Sequence, residues 1–161
     1  MFFSSNKSKS LYLKLGFSFF ILIFITTILQ TSYTYFNTKK ELYSEIENNI
    51  NVSLKQLENS VITFVESYQV NNYNRIIKNE MAHQNLLAII LEDYVTGKII
   101  GEDKYISGFF RNNEFEVIEY NIKNIEHKHQ MNTSIFSKEL ELKNSQNETI
   151  AILKIYGTDY Y

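Results

Sequence analysis

The chain has 161 residues, a net charge of −2, no cysteine, no proline and five glycines. The missing cysteines exclude disulfides and thiolate metal sites, and the near-neutral charge, with no basic stripe, gives no footprint for nucleic acid. About 130 residues follow Gln30, enough for one domain with its own core, held together by packing alone.

The first element is Leu11–Leu29, LYLKLGFSFFILIFITTIL, 19 nearly all apolar residues. At about 1.5 Å rise per residue it is long enough to cross a bilayer as a helix. A cleaved signal would have a shorter apolar stretch and a small-residue cleavage site after it. A buried core helix would be shorter and interrupted by polar residues. The sequence therefore predicts a retained anchor. Lys7, Lys9 and Lys14 precede the span without acidic company, whereas Lys39 and Lys40 run straight into Glu41, Glu45 and Glu47. The lysine asymmetry places the N-terminus in the cytoplasm and residues 31–161 outside. Tyr12, Tyr33 and Tyr35 stand where interfacial aromatics belong.

From Thr38 to Met81 there is no glycine, and Tyr43, Ile46, Ile50, Leu54, Leu57, Val61, Phe64 and Tyr68 recur at helical spacing. This seam predicts a long helix over 31–83, with a break near Asn71-Asn72. The stripe can pack on the domain's own sheet. Over Tyr43–Leu57 it can equally pair with a second copy as an a/d-like seam, which makes a homodimer through the long helix the expected assembly.

Near Asn85 the period changes. Leu86–Leu91 is a continuous apolar run, as in a central buried strand. Glu92–Gly97 reads as a turn and Lys98–Gly101 as the returning strand. Glu114–Tyr120 is the next strand, after a turn at Asn112-Asn113. A polar stretch follows from Asn121 to Thr133. Ile135–Leu142 alternates in its second half, Asn144–Glu148 is a hairpin loop, and Thr149–Tyr156 is the last strand. The fold class is α+β: a transmembrane helix, a long amphipathic helix and an antiparallel sheet of about five strands. The organisation follows as an N-terminal tail over 1–10, the span over 11–30, the helix over 31–83 and the sheet domain over 84–161.

A lysine-flanked span, a long helix, and then AIILEDYVTGKIIGEDKYISG from Ala88 to Gly108 with two further strands form a recognisable order. This order resembles the extracytoplasmic PAS-like (Cache-type) sensor region of bacterial transmembrane receptors. The resemblance covers most of Thr38–Tyr161, and it is one of architecture plus one loosely similar stretch. It implies a PAS-like sheet, a small-molecule ligand bound between the sheet and its covering loops, and a dimer signalling through long helices. It also implies an output module, a histidine kinase or a diguanylate cyclase. A receptor needs a second span and that module, so this reading expects further chain beyond Tyr161.

Motifs for catalysis are missing: there is no G-x-S-x-G, no phosphate-cradling glycine loop and no H-E-x-x-H. No cofactor is expected. His127 and His129 form H-K-H. On a strand both rings would share one face and suit a metal, but no third ligand has an obvious place, so no metal is assigned. Arg111 is one of two arginines and follows the segment that would line a PAS-like pocket. Its guanidinium is a bidentate fork for a carboxylate or phosphate. Tyr105, Tyr120 and His127 complete the candidate ligand set; otherwise they are half-buried packing residues with wet polar tips. A different class remains open, a pilin-like or single-span anchored assembly protein. Lys14-Leu15-Gly16-Phe17-Ser18 is faintly similar to a pilin processing site, although Ile21 stands where pilins carry an acid.

Overall fold

The computed structural model describes residues 5–124, 127, 131–132 and 134–158, with the side chains of 5–11 outside the description. The protein is α+β. The elements are α1 (Ser5–Glu66), α2 (Val70–Glu80), β1 (Leu86–Asp93), α3 (Tyr94–Ile100), β2 (Tyr105–Arg111), β3 (Val117–Glu119), β4 (Phe136–Lys143) and β5 (Thr149–Gly157). The chain divides into two compact units, Met1–Leu42 and Tyr43–Tyr161.

The first unit is the apolar part of α1. This is the one helix among the described residues long and apolar enough to cross a membrane, and none of its most apolar window is buried by protein. Its hydroxyls bond back to their own helix. Ser18 Oγ donates to the Lys14 carbonyl at 3.0 Å. Thr26 Oγ1 donates to the Ile23 carbonyl at 2.9 Å, and Thr27 Oγ1 donates to the same carbonyl at 2.8 Å. A hydroxyl satisfied in this way asks nothing of its surroundings, which is the condition for facing hydrocarbon.

The second unit is a helix layer on a five-stranded antiparallel sheet of order β3-β2-β1-β5-β4. The central position of β1 follows from its composition: all eight residues of LLAIILED are buried. The seam of α1 is consumed by this sheet. Ile46, Ile50 and Val61 are fully buried and Leu57 nearly so. Each contributes about 2 kcal/mol of transfer free energy relative to exposure. Gly157 of β5 makes the contact close: a Cβ there would lie 2.5 Å from Ile50 Cδ1. The Tyr43 ring meets Phe136 edge-on, and Lys138 Nζ bonds Asn51 Oδ1 at 2.7 Å and pairs with Glu47 at 3.1 Å. The seam that a second copy would need is therefore occupied, and pairing of copies through α1 would have to use another of its faces.

Three expectations are corrected. The helix breaks at Ser67–Gln69, ahead of Asn71-Asn72. Tyr68 sits in the left-handed region (φ 59), with Gln69 N–H donating to the Phe64 carbonyl at 2.8 Å and Tyr68 N–H to Val65 at 3.1 Å. This is a Schellman stop with tyrosine where glycine is usual, at a cost of about 1 kcal/mol. Second, Lys98–Gly101 is not the returning strand. Asp93 caps a helix there, its Oδ1 accepting from Val95 N–H and Thr96 N–H at 2.9 Å each, and Gly101 (φ 79) closes it. The returning strand is β2, beginning at Tyr105. Third, the strand expected over Glu114–Tyr120 shrinks to the three residues of β3, because Asn112 Oδ1 holds the N–H groups of Glu114 and Glu116 in a turn.

Candidate ligand-binding face

Register sorts the candidates. Partners across the sheet share a face. Asp93 is opposite Tyr105, and Leu91 is opposite Ser107 and Leu153; these residues belong to the helix side. Glu92 is opposite Ile106 and Ile152, Ile90 opposite Gly108 and Lys154, and Ala88 opposite Phe110 and Tyr156; these belong to the other side. Gly108 lets the strands approach closely, since a Cβ there would meet the Ile89 carbonyl oxygen at 2.2 Å.

Two candidates, Tyr105 and Arg111, lie on the helix side. Arg111 spends its fork on the main chain: Nη2 donates to the carbonyls of Met81 (2.6 Å) and His83 (3.4 Å), Nη1 to Phe115 (2.9 Å) and Nε to Leu86 (3.3 Å). It ties the end of α2 and the start of β1 to the β2–β3 turn, and burial lowers its pKa. Beside Tyr105 lies a network centred on Asp93. Asp93 Oδ2 accepts from Tyr73 Oη at 3.1 Å and Thr96 Oγ1 at 2.6 Å. Burial first, then the Asp93 charge, pushes the Tyr73 phenol far above its usual range.

The other two candidates meet on the far side. The buried His127 ring lies 4.5 Å from the Phe110 centroid and 6.0 Å from Tyr120. Its Nδ1 accepts the Asn121 N–H at 3.2 Å, so this nitrogen is an acceptor and a proton belongs on Nε2. His129, the other half of H-K-H, lies outside the described residues. Leu87, Ala88 and Phe110 form an apolar floor, against which Ile118, Tyr120, Met131 and Tyr156 pack.

Next to this floor is an ion cluster that sequence reasoning missed. Glu92, only 8% exposed, pairs with Lys104 at 2.8 Å and Lys154 at 3.0 Å; Lys154 also reaches Glu139 at 3.4 Å. Burial pushes the Glu92 carboxyl up, but its bonds to the two lysines outweigh this and hold it below the usual carboxylate range. Burial likewise pulls the Lys154 ammonium down, and Glu92 with Glu139 more than reverses it. Tyr120 and Tyr156 sense the same cluster, and burial raises both phenols. The far side thus offers two phenols that stay protonated at neutral pH, an imidazole, an apolar floor and paired ions. Convergent polar groups on an apolar wall are one element of a small-molecule site. A signal was present in the sequence: Lys154 is a charge inside an otherwise apolar strand, and Glu92 ends the apolar run of β1.

No known protein family, no curated protein and no solved structure matches the chain.

Proposed function

We propose that the chain is the extracytoplasmic, PAS-like sensing region of a membrane-bound signal-transduction receptor, and that its ligand binds the far side of the sheet. The observation that carries this reading is the pairing of a protein-free apolar helix with a domain whose sheet is covered by helices on one side and bears the Glu92–Lys154–Tyr120–Tyr156–His127 group on the other. In this reading the ligand is a small molecule, the N-terminus is cytoplasmic, and α1, helical without interruption from Ser5 to Glu66, is the route of the signal. The output, a histidine kinase or a diguanylate cyclase, belongs to the rest of the receptor.

The binding test is calorimetry of the full chain in lipid nanodiscs against a panel of small metabolites. A ligand should lose affinity in Tyr156→Phe and Lys154→Met. A ligand indifferent to both substitutions and to Glu92→Gln would sink the assignment of the face. Topology is tested separately, because the chain has no cysteine of its own. Ser145→Cys, in the exposed β4–β5 turn, should react with an impermeant maleimide on intact cells. Reaction only after lysis would place the domain on the wrong side.

A further inference from the structure

A second concavity lies away from the ligand face. The break between α1 and α2, the helix α3 and the β4–β5 turn enclose a groove of about 560 Å³, open to solvent on one side. Its size is that of a small-molecule site, about 300–1,000 Å³. Tyr68 and Tyr94 line it with Ile99. Tyr68 is 55% exposed and Ile99 62% exposed, so part of this apolar surface is left uncovered. The Tyr68 ring is presented from a left-handed backbone that seldom carries a large side chain, and such outliers gather at functional sites.

Charge decides the class of occupant. Lys98 is the single cation lining the groove and makes no ion pair among the described residues. The single carboxylate among the described lining residues, Glu148, is fixed by Asn144, whose Nδ2 donates to Oε2 at 3.1 Å. We infer that this groove binds a small, flat, hydroxylated carboxylic acid. The acid group pairs with Lys98, the ring lies against Tyr68, Tyr94 and Ile99, and a hydroxyl donates to the carboxylate of Glu148. A second acid group at the hydroxyl position would face Glu148 and be repelled. The site is independent of the ligand face: it shares no residue with it.

The experiment is amide NMR of the full chain in lipid nanodiscs, titrated with 4-hydroxybenzoate, 4-hydroxybenzyl alcohol and terephthalate. 4-Hydroxybenzoate should shift the amides of residues 94–99 and 144–150. The neutral alcohol and the dianion should each bind about tenfold more weakly, as should 4-hydroxybenzoate to Lys98→Met. Glu148→Gln should restore terephthalate. The inference is overturned if 4-hydroxybenzoate shifts nothing in the groove, shifts the strands around Glu92 and Tyr156 instead, or binds Lys98→Met unchanged. Lys98 is exposed, so its substitution leaves the fold intact, and unchanged amides elsewhere in the spectrum check this.

Discussion

Glu92 and Asp93 are neighbours on β1, both buried, and they live in opposite electrostatic worlds. Asp93 faces the helices and is solvated by neutral donors: two backbone N–H groups, the Thr96 hydroxyl and the Tyr73 phenol. Glu92 faces away and is neutralised by two lysines. The first arrangement is a structural clamp, in which every donor belongs to the fold. The second consists of side-chain cations next to phenols and an imidazole, on the face proposed for a ligand. Two acids one peptide apart thus separate a clamp of neutral donors from a cluster of paired ions on the face proposed for ligand binding.

Substitutions can break or sharpen that contrast. The largest effect is expected for Asp93→Ala, which removes the α3 cap and strands the Tyr73 hydroxyl in the core, at a cost of about 3 kcal/mol. Thermal melting of the full chain measures it. Glu92→Gln leaves Lys104 without its carboxylate and Lys154 with Glu139 alone. Lys104 is 39% exposed and Lys154 22%, so water screens part of the loss and the cost is about 2 kcal/mol. If Glu92→Gln costs more than Asp93→Ala, the assignment of clamp and responsive site is reversed.

The pH dependence sharpens the contrast further. The folded-state pKa of Glu92 is depressed, so its contribution is complete above the unfolded carboxylate pKa and fades as pH falls through the folded value. The folded-state pKa of Lys154 is raised, so its contribution is complete below the unfolded ammonium pKa and fades as pH rises through the folded value. Both are present at neutral pH. The difference in melting temperature between wild type and Glu92→Gln should shrink as pH drops below about 4.3. A difference that stays constant to strong acid would mean that Glu92 is not stabilised as the anion.

Arg111→Lys should cost about 1 kcal/mol, because an ammonium cannot serve carbonyls on three segments at once. The loss should appear in melting and leave ligand affinity on the far side intact. An affinity change equal to the stability change would move Arg111 back into the site. Tyr68→Gly is the smallest change. Relief of the left-handed strain and the greater freedom of unfolded glycine offset each other to within about 0.5 kcal/mol.

The contrast also explains what could be read in the sequence. The apolar span, the seam Tyr43–Val61 and the central strand were legible, because each is a local pattern with one period. The α3 helix was not, because Val-Thr-Gly-Lys-Ile-Ile is strand-like in composition and only the Asp93 cap turns it into a helix. The four candidate ligand residues divide between the two sides of the sheet. Tyr120 and His127 pack on the far side, the proposed ligand face, while the register of β2 puts Arg111 and Tyr105 on the helix side. Glu92, Lys104 and Lys154 escaped notice because the pairs span 12 and 62 positions of sequence.

The alternation of β5 has a mechanical meaning. Lys154 and Tyr156 look away from α1, toward the ion cluster, and Ile155 and Gly157 look toward α1. A slip by one residue would drive an ammonium into the oily layer and a branched aliphatic among the ions. The strand therefore cannot creep. It is keyed on both sides, like a plate held between two combs, and any movement that passes from one layer to the other must carry the plate whole.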